Sequence, residues 1–258
     1  MDSLINLLVM VGYTVLIARL FHAGLHRTYR AFFCFLILVL LECVLLVVLG
    51  ESSMAYARVW VIGQPIEWLL EAGVVLELYQ LSLRDYRGLS TVGRWAVIVA
   101  FILAVAASSL NLVIPSQTTR QGRLIAFYYV AERGVNFSLV VFLITILFLL
   151  TRYPITLNRN TIVHSVVFSG YFFSNTAIFL LLSMRGSAAL RTAQYGTQAV
   201  NLIAAGTWLA MLNVAGEQRR QTLRSSWMPG REEHLLNQLN RLNLALLRVS
   251  QVLPSRAV

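Results

Sequence analysis

The chain has 258 residues, 58% of them hydrophobic and 12% charged, with a mean hydropathy of +0.70 and a formal net charge of +10. A soluble domain carries roughly 25% charged residues, so this composition excludes an ordinary water-soluble fold and points to lipid as the solvent. The sequence contains no lysine, so the net charge comes from arginine. Without a lysine no retinal Schiff base can form, and arginines beside apolar segments read as headgroup contacts rather than a nucleic-acid surface.

Seven apolar segments follow one another, near 3–20, 31–49, 59–81, 95–114, 124–150, 161–183 and 193–214. A spanning helix needs about 20 such residues, so seven with short loops use about 190 residues and leave one C-terminal tail. The first segment has no basic residues ahead of its apolar run and Arg19 behind it. It therefore reads as a first spanning helix with its amino end outside, not as a cleaved signal peptide. The second holds Cys34 and Cys43, nine residues apart on one helix and too far apart to bridge, together with Glu42. The third carries Trp60, Gln64, Glu67 and Glu71 at spacings of 4, 3 and 4, hence on one face, and Glu77 near its inner end. Asn111 lies near the outer end of the fourth. The fifth carries Tyr129, Glu132, Arg133 and Asn136, with 129, 133 and 136 sharing a face. Tyr171 and Asn175 mark the sixth, and Gln194, Gln198, Asn201 and Trp208 the seventh.

The loops after segments one, three and five, with the tail, hold fifteen arginines; the opposite loops hold five, and Arg133 is intramembrane. The positive-inside rule then predicts the N-terminus outside and the C-terminus in the cytoplasm. The expected fold is all-α: a seven-helix bundle over 1–216, a linker over 217–230 with Pro229-Gly230, a heptad helix over 231–253 and a short tail over 254–258. In that helix Leu235, Leu239, Leu242, Leu246, Val249 and Leu253 step 4, 3, 4, 3, 4. Such a helix pairs with itself or a partner, lies on the inner leaflet, or folds back on the bundle.

Ionisable groups inside a span cost several kcal/mol, and each needs an explanation. Counted from the outer ends of their segments, Glu67, Glu132, Arg133 and Asn201 lie roughly 12 Å deep at about 1.5 Å per residue. Two readings compete. One is a polar cavity open to the extracytoplasmic side, in which Gln64, Glu67, Glu71, Tyr129, Glu132, Arg133, Asn136, Tyr171, Asn175, Gln198 and Asn201 bind a small ligand, with Arg133 as an anion anchor. The other is an internal pair of Arg133 with Glu71 or Glu67, plus amide bonds between helices. Five acids (Glu42, Glu67, Glu71, Glu77 and Glu132) against one arginine leave a surplus that must be protonated, hydrated or bound to a cation.

His22, His26 and His164 share one membrane level, which makes them weak metal or haem candidates; beside Arg19 and Arg27 they read as ordinary interfacial residues. No cofactor is expected, haem or pigment included, and no nucleophile, phosphate-loop or HExxH motif suggests an enzyme. The faint repeat between GQPIEWLL and GTQAVNLI lacks the proline–glutamine order of seven-helix sugar transporters, since Gln64-Pro65 runs in reverse. In layout the chain resembles the seven-helix membrane modules of bacterial sensor proteins, which are often fused to kinase or cyclase domains, with the expectation here of no output domain after the heptad helix. The resemblance implies an inner-membrane, multi-pass sensor or scaffold, contacting lipids, a small ligand from outside, and a second copy or a protein partner through its tail. A small transporter or proton-coupled carrier, and an accessory subunit of a larger membrane complex, are the alternatives.

Overall fold

The structure, a computed structural model, describes residues 2–49, 54–83, 95, 98, 99, 102, 120–152, 156–185, 190–218, 220–222 and 237–246. Its helices are α1 (Asp2–His22), α2 (Arg30–Leu49), α3 (Met54–Ser82), α4 (Arg120–Arg152), α5 (Arg159–Arg185), α6 (Leu190–Met211), α7 (Val214–Gln218) and α8 (237–246). Strands β1 (Thr156–Asn158) and β2 (Arg220–Thr222) form the one small ribbon among the described residues. The protein is all-α in character. The long helices fall on apolar segments one, two, three, five, six and seven. Most of the fourth segment, Asn111 included, lies outside the described residues, as do Leu235, Val249 and Leu253 of the heptad.

Consecutive long helices pack on one another, α1 closes on α6, and α3 also touches α5. The core is richest at the end where α1 turns into α2, with Tyr29, Phe32, Phe168, Phe172 and Trp208 all fully buried. The outward faces are apolar as well: Leu69, Phe173 and Ile203 are each more than 60% exposed. Helices apolar on all sides belong to a protein interior or a membrane. Among the described residues three stretches, Arg30–Leu49, Val130–Phe148 and Arg159–Leu182, are long and apolar enough to cross one. Helix α3 is longer than any of these, but Glu67, Glu71 and Glu77 interrupt its apolar character.

Three local contacts fix the long helices against one another. Pro65 lies inside α3 and has no N–H to give to the carbonyl four residues back, that of Val61. The hydroxyl of Tyr128 on α4 donates to that carbonyl at 2.9 Å, so a defect in one helix becomes a bond to the next. At the start of α2, the N–H groups of Ala31 and Phe32 donate to the two carboxylate oxygens of Glu77, at 3.1 and 3.3 Å. A carboxylate at a helix N-terminus meets both free donors and the positive end of the dipole. At the end of α6, Arg19 donates to the carbonyl of Leu209, the converse arrangement.

The tail departs from the expected linker. Residues 217 and 218 complete α7, and 220–222 pair antiparallel with 156–158, Leu157 opposite Gln221. Three-residue strands joining distant loops carry no periodic signal, which is why composition alone suggests a free linker. Helix α8 buries Leu239 to 1% exposure within the common core and packs Leu246 against it, while Leu242 stays 51% exposed. Within 237–246, Leu239 thus lies where the fold-back disposition would put it.

Candidate functional site

The middle of the bundle gathers acids from three helices. Glu132 on α4 is buried, and its carboxylate is fully engaged. One oxygen accepts from Gln64 at 3.0 Å and from the Trp68 indole; the other accepts from Asn136 at 2.8 Å. Gln64 also donates to Glu67 at 2.9 Å. Glu71, one turn beyond Glu67, has no exposed surface, and neither of its oxygens has a hydrogen-bond partner. Glu42 on α2 leans on α3 where Gly63 leaves room; a Cβ there would come within 2.8 Å of its Oε1, an oxygen that also lacks a partner. These four carboxyl groups lie within electrostatic reach of one another, and Glu71 and Glu67 lie within reach of the Tyr171 hydroxyl.

The expected face of α4 is displaced by one residue, while on α3 Gln64 and Glu71 keep the expected face. On α4 the inward stripe is Tyr128, Glu132 and Asn136, spaced by four, with Arg133 only half-buried; the side chain of Tyr129 lies outside the described residues. On α3 the buried set is Gln64, Trp68 and Glu71, with Glu67 half-buried and the side chain of Trp60 outside the described residues. Arg133 makes no hydrogen bond to Glu71, so that arm of the expected internal ion pair is not formed as a hydrogen-bonded bridge. The depth shifts too. Since α3 begins at Met54 and α4 at Arg120, Glu67 and Glu132 lie ~20 Å and ~18 Å from those helix ends, nearer mid-helix than expected.

The α5 and α6 residues contribute unequally. Asn175 is 2% exposed and its Oδ1 has no partner; Tyr171, four residues before it, is 7% exposed. On α6, Gln198 donates to Asn6 of α1 at 2.7 Å, so it ties helices together at one side of the cluster. Asn201 is half-buried with an unpartnered Oδ1. The fully buried unpartnered atoms of this group, on Glu42, Glu71, Asn136, Asn175, Gln198 and Asn201, are oxygens.

A second acid centre lies at the arginine-rich end and was not visible in the sequence. Glu217 of α7 accepts from Tyr29 at 2.8 Å, Asn158 at 2.7 Å and Asn160 at 3.3 Å. Asn160 also donates to the carbonyl of Asn213 at 2.8 Å, and the Asn213 side chain caps Gly216 N–H at 2.6 Å. Burial, with the nearby Glu217 charge, pushes the Tyr29 phenol well above its usual range, which keeps it a donor. The donors to Glu217 come from separate segments, so only Asn158 and Asn160 flanking Arg159 could have hinted at it.

The histidines do not converge. His22 is exposed, His26 stacks on Phe21 at 4.8 Å, and His164 is fully buried in a box of rings: Tyr29 at 4.5 Å, Phe32 at 4.6 Å and Trp208 at 6.3 Å. Neither nitrogen of His164, nor the indole nitrogen of Trp208, has a hydrogen-bond partner. Among the described residues no three His, Cys, Asp or Glu side chains come together to hold a metal ion.

Compared with protein-family models, curated proteins and solved structures, the chain matches none. What the fold and the site define is a class: a helical protein with, among the described residues, three helices long and apolar enough to cross a membrane, and a buried carboxyl cluster between its helices.

Proposed function

We propose that the chain is a seven-helix sensor of the bacterial inner membrane, N-terminus outside, which binds a small ligand at the mid-bundle carboxyl cluster and passes its state to the tail. The observation that carries this reading is Glu71: wholly buried, with two acceptor oxygens and no donor for either. A buried acceptor left open costs about 1–3 kcal/mol, more when charged. Such a cost is tolerable where a ligand supplies the missing donor. The route to the tail is short in structural terms. Helix α5 carries Tyr171 and Asn175 beside the cluster and Asn160 at the Glu217 centre, where α7 and β2 hold the tail. The reading makes the docked α8, through Leu239, the element that a cytoplasmic partner or second copy meets.

The test uses neutralisation of the site in place of a ligand. In a cysteine-free background carrying Leu239→Cys, the rate of thiol labelling in membranes reports whether α8 is docked. Glu71→Gln should change that rate several-fold; identical rates with Glu and Gln at 71 would sink the sensor reading.

One observation favours a second reading. Four carboxyl groups within electrostatic reach, with only Glu132 fully hydrogen-bonded, are an arrangement suited to holding and releasing protons, as in a proton-coupled carrier. Proteoliposomes loaded with a pH-sensitive dye should then dissipate an imposed pH gradient faster than empty vesicles, and Glu67→Gln with Glu71→Gln should remove the difference.

A further inference from the structure

Between α5 and α6 an apolar groove of about 230 Å³ opens on the outer face of the bundle. Its rim includes Val166 and Ile203, 54% and 69% exposed, and its lining includes Gly170, Ser174 and Thr207. Gly170 is exposed, and a Cβ built on it meets no atom within 4 Å, so the groove is open there. The inner wall includes Tyr171, the residue whose hydroxyl lies within electrostatic reach of Glu71. Tyr171 thus belongs both to the wall of an open apolar groove and to the electrostatic surroundings of a fully buried carboxylate without a partner.

The chemistry of the open positions selects the ligand. Both oxygens of Glu71, Oδ1 of Asn175 one turn along α5 from Tyr171 and Oδ1 of Asn136 beside Glu132 are fully buried acceptors without a partner. An anion would be repelled by four carboxyl groups within electrostatic reach of one another. The side chains do not converge as a metal needs. An ammonium group carries three donors and no acceptor, and its charge complements the acids. A groove of this volume and apolar lining takes an aliphatic chain.

We propose that groove and cluster are two halves of one site for a membrane-dissolved amphiphilic amine, its chain between α5 and α6 and its ammonium head reaching past Tyr171 to Glu71. The ligand enters sideways from the bilayer, not from the aqueous phase. This deepens the sensor reading and rests on it only for the site, since ligand binding and tail response are measured separately.

The experiment uses the full chain in nanodiscs of phosphatidylcholine and measures binding of radiolabelled dodecylamine, with dodecanol and dodecanoate as competitors. Saturable dodecylamine binding that neither competitor displaces is the expected result. Glu71→Gln should weaken it about tenfold or more, the order of one charge-assisted hydrogen bond. Gly170→Leu, placed where nothing is crowded, should weaken it comparably by filling the groove, and it serves if Glu71→Gln does not fold. The proposal is overturned if dodecanol competes as well as unlabelled dodecylamine, which would make the groove a place for any lipid chain. It is equally overturned if binding is unsaturable, or if Gly170→Leu leaves it unchanged. A selective amine site combined with an unresponsive Leu239→Cys label would retain this inference and remove the sensor.

Discussion

The acids among the described residues fall into two regions that treat a carboxylate in opposite ways. Toward the arginine-rich end, Glu77 and Glu217 are each met by donors from other segments: the first by two backbone N–H groups of α2, the second by Tyr29, Asn158 and Asn160. In mid-bundle only Glu132 is treated in that way, and Glu71 and Glu42 keep unpartnered oxygens. Residue type and hydropathy do not distinguish these groups; the donors that neighbouring helices bring do. An acid with its donors in place holds the fold, whereas an acid without them is available for a ligand or a proton.

Substitutions break or sharpen that contrast. The largest effect is expected for Glu217→Gln, which turns a charged acceptor with three donors into an amide that clashes with at least one of them. Hydrogen bonds to charged groups contribute about 1.5–3 kcal/mol each, so a stability loss of about 3 kcal/mol is expected in denaturant titration of the detergent-solubilised protein. Loss under about 1 kcal/mol would place Glu217 with Glu71 and erase the difference.

Gly216→Ala should come next. Its Cβ would lie 2.2 Å from Oδ1 of Asn160, the residue holding both Glu217 and the Asn213 carbonyl. Overpacking of this kind costs about 1–3 kcal/mol, and the melting temperature should fall accordingly. Tyr128→Phe removes the donor from the Val61 carbonyl that Pro65 leaves open, for about 1 kcal/mol, and should do so only while Pro65 is present. In Pro65→Ala the helix supplies its own N–H, so the same Tyr128→Phe change should then have little effect on the melting curve.

The smallest effect on stability belongs to Glu71→Gln. This carboxyl group has no hydrogen bond to lose, so the variant should melt close to the parent temperature. A loss exceeding about 1 kcal/mol would mean that Glu71 is a structural acid after all.

Much of the architecture was legible without coordinates. Helix α2 spans 30–49 where the apolar run gives 31–49, and α5 spans 159–185 where it gives 161–183, because long apolar runs bounded by polar residues specify helix ends to within a turn. That α3, α4, α5 and α6 carry the polar residues was equally plain, since such groups are rare in apolar segments. The rotation of α4 was not. Stripes 129–133–136 and 128–132–136 both satisfy helical spacing, and only packing against α3 decides that Glu132, not Arg133, points at Gln64 and Trp68.

The sequence by itself determined a helical protein with lipid-like outer surfaces and a surplus of buried acids, because hydropathy and its period are properties of single segments. Tertiary structure alone decided which acids are satisfied, that the stretch after α6 is pinned by Glu217 and the β1–β2 ribbon, and that Leu239 folds into the core. Each of those outcomes depends on a partner distant in the chain. A hydrogen-bond donor or a facing helix brought from afar leaves no periodic trace in the residues that await it.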